Sequence, residues 1–255
     1  MSKNAIAIEF RDVSFALPTG RRLLAHLNLQ VAGGETLVLL GRSGSGKTTT
    51  MRLINRLIDP TSGQVIVDGK PTMDWNPIQL RRRIGYVIQE IGLFPHLTIE
   101  QNIGVVPRLE GWEPERIRLR ARELLTLVGL DADLFAERFP RELSGGQRQR
   151  IGVARALAAD PPVILLDEPF GALDPITRRD IQQEFQNLQQ ELGKTMVFVT
   201  HDIAEAFVLG NRIGLLQDGE MVFLGAPAEL LESSHPEARA FAACFHDSPT
   251  IGSPA

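Results

Sequence analysis

Lys47 stands in "GRSGSGKT", residues 41–48, with the apolar run "ETLVLL" before it and "TTMRLINRLI" after it. The stretch matches G-x-x-x-x-G-K-[ST] at every fixed position, and such a stretch can bind phosphate. Glycines let successive backbone N–H groups turn toward phosphate oxygens at the positive end of a helix dipole. Lys47 can reach the β- and γ-phosphates, and the Thr48 hydroxyl can ligate Mg²⁺. Gly41, Arg42, Ser43, Gly44, Ser45, Gly46, Lys47, Thr48 and the adjoining Thr49 are therefore expected to hold ATP or GTP. The plain alternative is a glycine-rich turn that binds nothing. Its setting, directly after a strand-like run and directly before a helix-like one, argues against that.

A second group of chemical residues lies in "VILLDE", residues 163–168. A strand ending in Asp167 can put a carboxylate beside a metal held by Thr48. Glu168, one residue on, can polarise a water for in-line attack on the γ-phosphate. An acidic end cap on a buried strand is the competing reading, and the phosphate loop weighs against it. Two adjacent acids favour hydrolysis over transfer to a bulky acceptor. His201 follows the apolar run "MVFVT", on the edge where parallel sheets bind ligands. Alone it could equally be a cap on the next helix. Gln89, after "IGYVI", fits an edge hydrogen bond as well as a metal or water contact.

A second glycine-rich helix start, "LSGGQ", follows about a hundred residues after the loop and carries no lysine. Ser144 and Gln147 have the spacing of a capping box. A cap does not call for Gly145 and Gly146 at the first two helical positions, where they weaken the helix. Two bare positions would open the N-terminal N–H groups to an anion. With one nucleotide already held by the loop, the economical arrangement is a head-to-tail pair of copies. Each Ser144-Gly145-Gly146 then covers the γ-phosphate bound at the other copy's Lys47.

These groups need strands and helices to position them. "AIAIEF" and "VSFAL" alternate at period two, and "ETLVLLG" reads as a strand buried on both faces. After the loop, Met51, Ile54, Leu57 and Ile58 have helical spacing, and "QVIVDGK" is a strand running into an Asp-Gly turn. From about Leu80 to Ala158 the pattern is mostly helical, with "PERIRLRARELLTLVGL" stopped at Gly129. Strand signals return with "VILLDE", "TMVFVTH" and a hairpin turning at Asp218-Gly219. Between them lies a helix capped by Asp174, with Pro175 first and Gly193 closing it; Ile181, Phe185, Leu188 and Leu192 share one face. The tail 246–255 is expected to be disordered.

The composition narrows the function. The 255 residues, 43% hydrophobic and 23% charged, are ordinary for a globular protein. A net charge of -4 gives no footprint for general nucleic-acid binding. The one cysteine, Cys244, fits a reducing compartment, and no apolar run reaches the roughly 18–20 residues that span a bilayer. The start, with a single lysine and no apolar h-region, does not read as a secretion signal. A cytosolic chain that reaches the membrane only through a partner is expected.

Taken in order, "VSF", "GRSGSGKT", Gln89, "LSGGQ", "VILLDE", "GALD" and His201 resemble the ATP-binding subunit of an ATP-binding-cassette (ABC) transporter over roughly residues 6–235. The resemblance implies an α/β fold: a P-loop NTPase core with a mostly parallel sheet, an N-terminal antiparallel β region and an inserted helical subdomain. The core would cover about 1–88 and 159–245, and the subdomain about 89–158. It implies ATP and Mg²⁺ as ligands, with Thr48, Gln89 and Asp167 at the metal and Glu168, His201, Gln89 and Lys47 in catalysis. Phe15 would stack on adenine, although an aromatic alternating with Val13 and Leu17 could also be core. Asp174 would meet the partner's phosphate loop, His201 the γ-phosphate, and Gln89 would connect the metal site to a membrane subunit.

Residues 80–112, above all "IGLFPHLTIEQNI", are similar to the ATPases of importers for glycine betaine, choline or carnitine. The likeness implies that this segment is the face toward the transmembrane partner. The implied assembly is an ATP-dependent homodimer, or a heterodimer with a similar ATPase, on permease subunits at the cytoplasmic face of the membrane. An extracytoplasmic solute-binding protein would take part indirectly, and no nucleic acid would. Many members of that group continue into paired CBS regulatory repeats, and regulation of that kind is not carried over to this chain. Three rivals remain: an importer of another small solute, an efflux ATPase with a separate membrane subunit, and a soluble ABC ATPase of DNA repair or translation. The last usually carries coiled-coil insertions or two cassettes, and neither is visible here.

Overall fold

The computed structural model describes residues 5–89, 92–171 and 173–247. Its strands in chain order are β1 (Ile6–Ala16), β2 (Arg22–Ala32), β3 (Thr36–Leu40), β4 (Ser62–Val67), β5 (Lys70–Pro71), β6 (Ile84–Val87), β7 (Val163–Asp167), β8 (Thr195–Thr200), β9 (Arg212–Gln217) and β10 (Glu220–Gly225). The chain forms two compact units, one of residues 75–196 and one holding the segments on either side, with the second crossing inside β8.

The unit on either side contains the phosphate loop. Its antiparallel sheet has the order β2-β1-β4-β5, and β1 runs unbroken, with register shifts, through both of the expected N-terminal runs. β3 pairs with β9 in parallel, Leu37 opposite Arg212 and Leu40 opposite Leu215. All five residues of β3 are buried, as its unbroken apolar sequence requires. β9 turns into β10 at Asp218 and Gly219, both with positive φ. The helix after the loop spans Lys47–Ile54 and stops short of the expected Leu57 and Ile58. Asn55 caps it and Arg56 takes φ 52°, so the chain turns away and leaves Leu57 exposed. Apolar spacing cannot register such a turn.

In the other unit β6 and β7 pair in parallel, Tyr86 opposite Leu165. The helices Ile99–Ile103, Pro114–Leu127 and Gly145–Leu157 bury Ile99, Ile103, Leu124, Leu125, Ile151, Ala154 and Leu157. A Cβ at Gly85 would come within 2.5 Å of the Ala156 carbonyl, so glycine is what lets β6 approach helix Gly145–Leu157. Helix Pro175–Leu192 has the expected boundaries: Asp174 accepts from the Thr177 N–H, Pro175 comes first, and Gly193 ends it at φ 55°. The last helix, Pro236–Asp247, extends two residues into the expected tail. The rest of that tail, 248–255, lies outside the described residues. Among the described residues no helix is long and apolar enough to cross a membrane.

Candidate nucleotide site

Loop 41–48 joins β3 to helix Lys47–Ile54. Gly41, Gly44 and Gly46 have φ 152°, 81° and 108°, a region that side chains resist. A Cβ on Gly41 would fall 2.3 Å from the Leu216 carbonyl, and one on Gly46 2.7 Å from the Leu24 side chain. Around Gly44 there is open space, so a ligand can come up to the backbone there. The Lys47 amine is buried inside the loop, donating to the carbonyls of Gly41 (2.7 Å) and Arg42 (2.9 Å). The Ser45 hydroxyl is buried with no partner among the described residues. A buried orphan hydroxyl beside a lysine and exposed glycine backbone suits a polyphosphate. Thr48 and Thr49 are half-buried in the first helical turn, whereas Thr50 bonds back to the Gly46 carbonyl. Phe15 is half-buried and Leu17 more exposed, so the two do not form a core row with Val13. Phe15 pairs in register with Leu24, the residue lying against Gly46.

His201 is exposed just past β8. It does not cap the next helix: Asp202 does, accepting from the Ala204 N–H at 2.8 Å. The turn is held by a buried pair, in which the Thr200 hydroxyl donates to Glu205 at 2.6 Å and accepts from the Asp202 N–H at 3.0 Å. The sequence reading passed over this brace. Asp202 and Glu205 have capping-box spacing, but nothing in the spacing shows that Glu205 turns to Thr200.

In the unit of residues 75–196, Asp167 is buried at the end of β7 and receives a long hydrogen bond, 3.4 Å, from the Tyr86 hydroxyl on β6. Sequence reasoning missed Tyr86, which is visible only once β6 and β7 pair. Glu168 takes φ 44°, a left-handed conformation rare for a residue with a side chain. The Gln89 amide donates to the Glu168 carboxylate at 3.1 Å, so two of the expected catalytic residues meet. Among the described residues no cluster of three His, Cys, Asp or Glu side chains could hold a metal. A hydroxyl-and-carboxylate set suits Mg²⁺, which takes few protein ligands and keeps phosphate oxygens and waters.

Ser144 and Gln147 do form the capping box: the Ser144 hydroxyl accepts from the Gln147 N–H at 3.2 Å and Gln147 Oε1 accepts from the Ser144 N–H at 2.9 Å. The two glycines differ. A Cβ on Gly146 would lie 3.0 Å from Thr177 Cγ2 and 3.1 Å from Ile181 Cδ1, whereas on Gly145 it would meet only Leu173 Cδ2 at 3.9 Å. Gly146 therefore has a packing reason to be glycine, since it lets this helix lie against helix Pro175–Leu192. The Asp174 carboxyl is exposed and held below its ordinary pKa range by hydrogen bonds from the Thr177 side chain and amide.

The family model described as "ABC transporter" matches residues 24–171. The glycine betaine/carnitine/choline transport ATP-binding protein OpuCA of Bacillus subtilis is 54% identical over 226 residues, covering 89% of this chain and 59% of its own length. The chain thus spans about three fifths of that relative. The dimeric post-hydrolysis ATP-binding cassette MJ0796 bound to ADP and Pi superposes with a TM-score of 0.76 at 38% identity, over 86% of this chain and 98% of that one. The structure of cbiO1 from Clostridium perfringens, part of the ABC transporter complex cbiONQ, gives a TM-score of 0.82 at 27% identity, over 89% and 91%.

Proposed function

This chain belongs to the ABC transporter family, and on that premise we propose that it is the ATP-hydrolysing motor subunit of an importer. Its solute would be glycine betaine or a related quaternary-amine osmoprotectant. The observation that carries the hydrolytic part is the Gln89 amide on Glu168, beside the buried Asp167. A carboxylate fixed by an amide donor, on a backbone that fits few residues, can orient a water without moving.

In this reading the backbone of Gly41–Thr49 and Lys47 bind the phosphates of ATP, and Phe15 stacks on adenine. Glu168 polarises the attacking water, His201 contacts the γ-phosphate, and Gln89 connects the metal site to a membrane subunit. Thr48, Gln89 and Asp167 would hold Mg²⁺, which would supply charge neutralisation on the phosphates. Ser144, Gly145, Gly146 and Gln147 of one copy cover the nucleotide of the other, and Asp174 meets the other copy's loop. The dimeric relative bound to ADP and Pi supports that pairing.

A cavity of about 320 Å³ lined by Arg82, Tyr86, Phe94, Val106 and Arg155 supports a docking face toward permease subunits. Asn102, fully buried, holds the loop beside it by accepting from the Phe94 N–H and donating to the carbonyls of Phe94, Leu97 and Thr98. Phe94 is left 42% exposed on that face. Ile91, the first residue of the expected docking segment, lies outside the described residues. Assembled this way the chain sits peripherally on the cytoplasmic face of the membrane, and a solute-binding protein delivers the cargo on the other side. The OpuCA likeness supports the quaternary-amine class.

The test is uptake of labelled glycine betaine at high osmolarity in a strain lacking this gene. The wild-type chain should restore uptake and Glu168→Gln should not, although that variant still binds ATP. Normal uptake in the deletion strain with new sensitivity to toxic compounds would make the protein an exporter.

A further inference from the structure

Arg42, inside the phosphate loop, is tied by its side chain to the last helix. Its Nε donates to Glu237 Oε1 at 2.7 Å and its Nη2 to Glu237 Oε2 at 3.3 Å, joining residues 195 positions apart. The guanidinium is mostly exposed, while only 10% of the Glu237 side chain is. Glu237 is held in place by helix Pro236–Asp247. Its N–H donates to His235 Nδ1, Ala238 and Ala242 are buried, and Phe245 stacks on Phe207 with ring centroids 4.4 Å apart. Phe207 belongs to helix Ile203–Leu209, which begins two residues after His201. At its other end, the backbone carbonyl of Arg42 accepts from the Lys47 amine. One residue is thus gripped by the last helix through its side chain and holds the loop's lysine through its main chain.

We propose that Glu237 is a positioning residue for ATP: through Arg42 it fixes the loop backbone that anchors Lys47, so that the seating of helix Pro236–Asp247 sets nucleotide affinity. A two-point guanidinium–carboxylate contact specifies an orientation as well as an energy. Without it the loop must be ordered when ATP binds, at the expense of affinity. The chemical step is spared, because Glu168 and Gln89 are untouched. The proposal rests on loop 41–48 being the ATP site.

The opposite sign is physically available. Glu237 is a negative charge near a polyphosphate, and if it merely restrained Arg42, removing it would strengthen ATP binding. A double-mutant cycle on the full chain decides, using MgATP titration calorimetry, steady-state hydrolysis and thermal melting of Glu237→Gln, Arg42→Gln and the pair. Either single change should weaken ATP binding about 3–10-fold and raise KM in step, with kcat within about twofold. The pair should be no weaker than the worse single variant, since both changes break one contact. Additive losses, tighter binding by Glu237→Gln, or a lower melting temperature with unaltered ATP affinity would each overturn the proposal. Lys47→Ala, measured alongside, tests the loop itself: if ATP affinity survives it, the ATP-site reading fails whatever Glu237 does.

Discussion

Gly44 and Gly46 approach their helix at φ 81° and 108°, whereas Gly145 and Gly146 lie within the helix they begin. At the first start Ser45 is buried with its hydroxyl unpartnered among the described residues, and Lys47 is folded in among backbone carbonyls. At the second, Ser144 is exposed and its hydroxyl and N–H are both matched by Gln147. The loop has a polar group that only a ligand or solvent could satisfy, whereas at the second start Ser144 and Gln147 satisfy each other. The capping box does not use the Gly145 and Gly146 N–H groups, and a helix start of this kind can meet an anion brought to it from outside, as a second copy of the chain would bring it.

The largest expected effect is a complete loss of turnover, and it falls on the loop. Lys47→Ala should weaken ATP binding about 100-fold, the worth of a charge-assisted contact, and abolish turnover. Unchanged affinity by titration calorimetry would erase the distinction between the two starts. Next comes Gly145→Asp in the Glu168→Gln background. A carboxylate about 4 Å from another copy's polyphosphate is opposed by roughly 4 kcal/mol at intermediate dielectric, enough to empty the paired state. Sizing chromatography with ATP should then show monomers that still bind nucleotide, and a persisting ATP-dependent dimer would reduce "LSGGQ" to a cap. Gly145 is the position to use, since an acid at Gly146 would also disturb Thr177 and Ile181. The smallest effect belongs to the cap. Ser144→Ala should remove about 1 kcal/mol and lower the melting temperature by about 2–4 °C in calorimetry. No shift at all would mean that the capping box adds nothing to the monomer and that Ser144 serves only the partner.

The features legible in the sequence were the ones made locally. Asp174, Pro175 and Gly193 bound their helix because the groups they satisfy lie within a few residues. The same holds for Ser144 with Gln147 and for the phosphate loop between strand and helix. Contacts that arise only after strands pair or helices pack were not legible. Tyr86 reaches Asp167 across β6 and β7, and Glu237 reaches Arg42 from the far end of the chain. The packing at Gly146 was hidden in the same way, because Thr177 and Ile181 lie some thirty residues away in sequence. An apolar pattern also continues through the backbone reversal at Arg56, so spacing alone extends helix Lys47–Ile54 by about one turn.

The left-handed backbone at Glu168 has a bearing on how such a protein can be engineered. Glycine would adopt φ 44° without the roughly 1 kcal/mol that a side chain adds there. Selection for heat resistance alone would therefore favour Glu168→Gly and discard the acid proposed to activate water. Durability and turnover make opposite demands on this one position, and a stabilised variant that is still to work must draw its gains from elsewhere in the chain.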